Sequence, residues 1–200
     1  TAETISAFGT YITTLALQVF VVLSLQGSPT DVGLVNASRW LPYVLFGLVV
    51  GATIDRWRRK PVLVTTDCIR ALLLGAIPAL WLLGWLNIAV LMTFVALFGL
   101  TTLFNDAASQ SYVPRLAPPR SLVPANARLD QGAAAAQTSG PVLAGALITA
   151  FGAPLAVLFN AMTYLVSAAL IARIPVSEAK PAHRRRRGRL SREIGEGLGW

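Results

Sequence analysis

Charged residues are scarce in this sequence, and what it lacks excludes several classes of protein. Only 13% of its 200 residues are charged and 54% are hydrophobic, whereas a soluble domain carries about 25% charged residues. The single cysteine, Cys68, stands inside an apolar stretch, so we expect no disulfide framework. The single histidine, His183, stands in a basic tail, and no Gly-rich phosphate loop precedes a Lys-Ser or Lys-Thr pair. We therefore expect neither an enzyme nor an ATP-driven pump, and no cofactor or metal.

Long apolar runs fill most of the chain. A helical run of about 20 apolar residues matches the ~30 Å hydrocarbon thickness of a bilayer. The runs are continuous rather than alternating, which argues against a membrane β-barrel. The sequence predicts an all-α integral membrane protein with spans at about 6–25, 32–54, 62–83, 88–112, 123–151 and 155–174. It begins at Thr1 without a basic segment, so we expect a piece of a longer chain rather than a signal peptide.

The net charge of +8 comes largely from basic residues in the connections between spans. In a soluble protein such a charge suggests nucleic-acid binding. Here the connections after spans one, three and five hold no Lys or Arg, and those after spans two, four and six hold several. Basic connections are cytoplasmic by the positive-inside rule. We therefore predict that both ends of the segment face the cytoplasm, that nucleic acid is not a partner, and that the basic run at 184–187 attracts anionic membrane lipid.

The connection after span two reads GATIDRWRRKP, residues 51–61, and its charges begin with an acid. Asp55 lies at the C-terminal end of span two, where the helix dipole disfavours a negative charge. It is therefore either a solvated loop carboxylate or a group with a partner outside its own helix. Gly51, one turn earlier, has no side chain and would let another helix approach.

This stretch resembles the conserved loop, often called motif A, between helices two and three of major facilitator superfamily transporters. The usual pattern has Gly in the place of Arg58. The resemblance implies a conformational latch, in which Asp55 contacts the second half of the transporter when the cytoplasmic side is closed. It also implies that the basic residues of the loop, Arg56 and Arg59 among them, pair with Asp106 near the inner end of span four.

The resemblance also implies the architecture. Residues 1–175 would form the N-terminal six-helix half of a twelve-helix major facilitator fold, built from two inverted three-helix repeats. Residues 176–200 would form a basic cytoplasmic linker and the start of an amphipathic helix. The missing C-terminal six-helix half would be a partner, and the protein would be a multi-pass protein of a bacterial cell membrane.

Span five carries small residues at every fourth position: Gly132, Ala136, Gly140 and Ala144. Such a stripe lets membrane helices pack closely. Pro141 cannot donate to the carbonyl of Gln137, so we expect a kink there. The Gly140-Pro141-x-x-Ala-Gly145 core is similar to motif C, which marks exporters of the superfamily and implies a gating role. The flanking phrases LVPANARLDQ and NAMTYLVSAAL resemble the branch of siderophore and macrolide exporters. Tight helix packing alone is the other interpretation of the stripe.

Polar residues inside the spans need a reason, because an ionisable side chain at mid-bilayer costs roughly 2.5–3.5 kcal/mol on insertion scales. Arg39 either binds an anion or substrate in a cavity or extends to the headgroups. Asp67 and Arg70 are three apart and predict a local ion pair. Polar faces on spans one and four predict a pathway lining. The candidate substrate-binding residues are Thr10, Thr14, Gln18, Arg39, Thr101, Asn105 and Gln137.

Three functions fit these patterns. The leading prediction is a secondary transporter that exports amphipathic small molecules of the drug, macrolide or siderophore type by alternating access with ion coupling. The second is uptake by the same fold. The third is a membrane protein without transport activity that holds a partner or anionic lipid through its basic tail. No acid stands at mid-membrane, so we expect the proton carrier in the missing half.

Overall fold

The computed structural model of the chain describes residues 2–54, 57–116 and 122–173. Within these ranges the regular structure is entirely helical. The helices are α1 Ala2–Val19, α2 Pro29–Ile54, α3 Arg59–Leu82, α4 Ile88–Leu116, α5 Leu122–Phe151 and α6 Ala153–Ala172, and α1 continues into a π-helical turn, Phe20–Ser24. Each of the six is long and apolar enough to cross a membrane. The predicted all-α membrane class and its six spans are confirmed, whereas the predicted linker at 176–200 lies outside the described residues.

Local sequence sets several of the helix ends. Before α2, the Ser28 hydroxyl and backbone N–H both donate to Asp31 Oδ2 at 2.8 Å, a reciprocal cap that precedes Pro29 at the first helical position. The Asn87 side chain accepts from the Val90 N–H at 2.9 Å and caps α4. Gly152 has a φ of +83°, so the tight turn from α5 into α6 uses a backbone conformation that favours glycine.

Helices that follow one another along the chain are mostly not the ones that pack together. The largest contacts join α2 with α4, α1 with α5, α3 with α4, α1 with α6, and α3 with α6. If α1 is exchanged with α4, α2 with α5, and α3 with α6, the list of contacting pairs stays the same. The main contacts of α1–α3 are therefore equivalent to those of α4–α6, as expected for the two three-helix repeats that the resemblance implies, and α3 and α6 pack on each other.

Two apolar clusters fill the bundle, with a polar layer between them. We call the end of the bundle that holds the α1–α2 connection the turn end, and the opposite end, which holds the α2–α3 connection, the motif end. The larger cluster reaches the turn end, and the smaller one, which includes Ile54, Leu63 and Ala108, lies at the motif end. Buried polar side chains separate the two clusters on α3 and α4: Thr66, Asp67, Arg70, Thr102 and Asn105.

Candidate functional site

A small pocket opens among α1, α2 and α4 toward the turn end. Its polar lining consists of Thr14, Gln18, Asn36 and Arg39, and its apolar lining of Leu17, Val21, Val32, Val35 and Val95. Thr14 and Gln18 are one helical turn apart on α1, and Asn36 and Arg39 are nearly one turn apart on α2, so each helix presents its polar pair to the same space. The pocket thus combines an apolar wall with a polar edge inside a membrane bundle.

Arg39 carries the charge of this pocket. Its Nη1 donates to Thr14 Oγ1 at 2.6 Å. Its guanidinium carbon lies 5.9 Å from the ring centroids of both Trp40 and Phe98, which is at the outer limit of a cation–π contact. The α2 backbone is held against α4 at this point, because a methyl group at Gly99 would overlap the Arg39 carbonyl oxygen.

A line of polar contacts runs from the pocket toward the polar layer. The Thr14 hydroxyl donates to the Thr10 carbonyl at 2.8 Å, and the hydroxyls of Thr10 and Tyr164 share a hydrogen bond at 3.3 Å. The buried ring of Tyr164 lies 4.9 Å from the guanidinium carbon of Arg70. Arg70 Nη2 in turn lies 3.3 Å from Asp67 Oδ1. The predicted Asp67–Arg70 ion pair is therefore confirmed, and it is buried.

Asn105 ties α4 to α3 within the polar layer. Its Nδ2 donates to Thr66 Oγ1 at 2.8 Å and to Asp67 Oδ1 at 3.2 Å. Asn105, Thr66 and Asp67 are all buried. The ion pair on α3 therefore receives a donor from the neighbouring helix, as buried charges require.

The structure brings together only part of the predicted substrate-binding set. Thr14, Gln18 and Arg39 line the pocket, and Thr10 lies one turn away on the same face of α1. Thr101 donates to the Phe98 carbonyl at 2.8 Å. Asn105 belongs to the polar layer, and Gln137 lies on the exposed face of α5. For all seven residues, substrate binding stays a prediction.

The structure describes three of the predicted gating residues of the motif end: Gly51, Arg59 and Asp106. Asp55 and Arg56 lie outside the described residues. Arg59 is buried at the start of α3. Asp106 accepts a hydrogen bond from the Tyr43 hydroxyl at 2.8 Å. Gly51 is exposed, and apart from the adjacent residues and backbone of its own helix no described atom lies within 4 Å of the place where a side chain would begin. Gating by these residues stays a prediction.

The small-residue stripe of α5 is its contact with α1. A methyl group at Gly132 would stand 2.5 Å from Thr4 Oγ1, and one at Gly140 would stand 2.8 Å from Tyr11 Cβ. Ala136 and Ala144, the other two members, are fully buried. Tight packing along the stripe is therefore confirmed. Pro141 and Gly145 face away and are exposed, and the gating role predicted for Gly140, Pro141 and Gly145 stays a prediction.

Several polar residues of the structure were not singled out from the sequence. Asn36 lines the pocket and Tyr43 bonds Asp106. Asn160 is fully buried and donates to the Thr13 hydroxyl, and Tyr164 bonds Thr10. Asn160 and Tyr164 are four residues apart on α6, so their shared face was visible in the spacing. Asn36 was visible in the same way, three residues before Arg39.

The fold and the pocket together define a class: a multi-pass helical membrane protein with a polar-edged pocket inside its bundle, as small-molecule carriers have. The sequence matches the Major Facilitator Superfamily over residues 1–198, and the chain belongs to that family. It is 26% identical over 179 residues to the uncharacterized MFS-type transporter YfiS of Bacillus subtilis (strain 168), a match that covers 87% of this chain and 40% of the relative. The chain thus spans less than half the length of that relative.

Proposed function

We propose that this chain is the N-terminal half of a secondary transporter that exports amphipathic small molecules by alternating access with ion coupling. The observation that carries the proposal is the pocket among α1, α2 and α4. It offers Gln18, Asn36 and Arg39 beside an apolar wall, which suits a ligand with one polar and one apolar part.

Two further observations support a second half. The chain covers 40% of the length of its transporter relative. The helices α2 and α5 expose long faces, with Val44 at 83% and Val142 at 72% exposure, and these faces are available either to lipid or to further helices of the same protein. In a transporter of two halves, a substrate site lies near the midplane between them.

Export rather than uptake is supported by α5, where the core similar to motif C stands. Gly140 is packed against Tyr11, whereas Pro141 and Gly145 are exposed on the side away from α1. A helix of the other half could pack on this exposed surface of Pro141 and Gly145. As part of the exporter proposal, that contact controls the opening of the transporter. Orientation with both ends in the cytoplasm is part of the same proposal.

Flux in oriented vesicles tests the proposal. Inside-out vesicles that contain the full-length protein are expected to accumulate a fluorescent amphipathic probe when a proton gradient is imposed. Gln18→Ala should reduce the initial rate severalfold because it removes a pocket amide. Thr93→Ala is the matched control, since Thr93 is exposed and bonds the Ala89 carbonyl of its own helix. Accumulation in right-side-out vesicles instead would establish uptake, and a protein that moves no amphipathic probe in either orientation would refute transport of this class.

A further inference from the structure

Arg39 is a membrane-embedded cation without a carboxylate partner among the described residues. Its hydrogen bond goes to the neutral Thr14 hydroxyl, and its other contacts are the two aromatic rings. A guanidinium has five N–H donors, and the described part of the chain uses one of them. Placing a guanidinium in a membrane costs free energy. For Arg70, the ion pair with Asp67 offsets this cost.

The acids nearest to Arg39 along its own and its neighbouring helix are engaged elsewhere. Asp31, two turns before it on α2, accepts from Ser28. Asp106 on α4 accepts from Tyr43, one turn after Arg39. Among the described residues, Arg39 therefore has no acidic partner, and its charge faces the pocket.

The other polar groups of the pocket are also uncommitted. In the part of the chain that the structure describes, the side-chain amides of Gln18 and Asn36 form no hydrogen bond, yet both line the same pocket as Arg39. An amide offers two N–H donors and one acceptor oxygen. Gln18 and Arg39, which are half-buried, and Asn36, which is exposed, thus present free donors to one space that apolar side chains otherwise line.

We propose that this pocket binds the anionic group of the substrate, so that the transported molecule is an amphipathic acid with a carboxylate or phosphate-like group attached to an apolar body. Arg39 binds the anion, because a guanidinium matches the geometry of carboxylate and phosphate oxygens. Gln18 and Asn36 donate to its remaining oxygens. The apolar lining of the pocket, Leu17, Val21 and Val95, is itself buried, so the apolar body of the molecule extends from the mouth of the pocket. This inference rests on the proposed transport function and names the chemistry of its substrate.

A matched pair of fluorescent probes tests the charge requirement. Dansylglycine and dansylglycinamide differ only in a carboxylate against a neutral amide. Full-length protein in nanodiscs of phosphatidylcholine, a zwitterionic lipid, is expected to bind the acid about tenfold or more tightly than the amide, which is the size of one charge-assisted contact. Arg39→Gln should abolish that preference while amide binding persists, which shows that the variant is folded. Arg39→Lys should retain part of it.

The control is Arg173→Gln, which removes an exposed arginine at the end of α6 and should leave the preference unchanged. Equal binding of acid and amide to the wild-type protein overturns the inference, and so does a preference that survives in Arg39→Gln. A lipid headgroup would supply the same chemistry. If phosphatidylglycerol stabilises the wild-type protein through Arg39 and dansylglycine does not bind in phosphatidylcholine, the anion is lipid and the substrate assignment is wrong.

The two proposals fail in different ways. A protein that transports neutral amphipathic probes without preference for acids refutes the anion site alone. A protein that binds dansylglycine through Arg39 and moves no probe across the membrane refutes the transport function alone.

Discussion

Asp67 and Arg70 place two opposite charges inside a membrane bundle, in contact with α4 and α6. Asp67 receives a donor from Asn105, and Arg70 lies against the Tyr164 ring. Within the described ranges, Nε and Nη2 of Arg70 form no hydrogen bond, and Nη2 contacts Asp67 Oδ1 as an ion pair at 3.3 Å. The ring face and the carboxylate are therefore what stabilises this cation, and removal of either charge alone leaves the other buried without its counterpart.

A double-mutant cycle measures the pair. Asp67→Asn and Arg70→Gln are each expected to lower the free energy of unfolding by about 3–5 kcal/mol, the typical cost of breaking a buried ion pair. The double variant should lose less than the sum of the two, because neither charge is then left alone. Denaturant unfolding of the detergent-solubilised full-length protein gives these values. Cys68→Ala, on the exposed face of the same helix, should change stability by less than about 0.5 kcal/mol. Strict additivity would contradict a coupled pair.

At the same scale, sequence reasoning predicted the ion pair of the polar layer but not the role of Asn105 beside it. The three-residue spacing of Asp67 and Arg70 predicts their pairing because both ends lie on one helix. Asn105 is different. Its position relative to Thr101 fixes the face of α4 on which it lies, but spacing along one helix does not say which neighbouring helix that face meets. The structure places it against Thr66 and Asp67 on α3.

Among the elements, α2 and α4 approach each other closely beside the pocket, at Arg39 and Gly99. Gly99 leaves no room for a side chain because the Arg39 carbonyl oxygen occupies that space. The same backbone segment carries the Arg39 side chain into the pocket. The separation of these two helices therefore sets where the guanidinium stands, and a larger residue at 99 would move both.

Gly99→Ala is expected to destabilise the protein by about 1–3 kcal/mol, the usual cost of overpacking, and to weaken binding of dansylglycine. Gly75→Ala is the control, because Gly75 lies in α3 and, apart from the adjacent residues and backbone of that helix, no described atom stands within 4 Å of its missing side chain. That change should be neutral or stabilising by roughly 0.5–1 kcal/mol, since alanine favours the helix. Thermal unfolding and probe titration measure both effects. If the two variants behave alike, the α2–α4 contact does not position Arg39.

The helices themselves were largely predictable, with their ends as the exception. Apolar run length predicts a span because the bilayer fixes how many residues are needed. It predicts a helix end poorly, since a helix can continue beyond the apolar region. The structure begins α3 at Arg59 rather than near 62, and extends α4 to Leu116 rather than near 112. In both places the helix includes charged or polar residues. Hydropathy alone would assign these residues to the connection between two helices.

For the molecule as a whole, the distribution of Lys and Arg predicts orientation. The turn end should face outside and the motif end should face the cytoplasm. In a Cys68→Ala background of the full-length protein, single cysteines at Ser28 and Asn87 should react with a membrane-impermeant maleimide in intact cells. Cysteines at Arg58 and Arg173 should react only after permeabilisation. All four positions are exposed, so access to the reagent depends on the side of the membrane. Labelling of Arg58 in intact cells would reverse the orientation.

The pairing of helices has a consequence for how the protein is made. The main packing partners of α1 are α5 and α6, and that of α2 is α4, so the first two helices leave the ribosome well before their partners exist. Synthesis at about 5–20 residues per second leaves α1 waiting on the order of ten seconds. During that time Thr13 has no Asn160 and Thr10 has no Tyr164 to bond. The nascent α1 must therefore shelter its polar face in the insertion machinery, and assembly is completed only when α6 arrives.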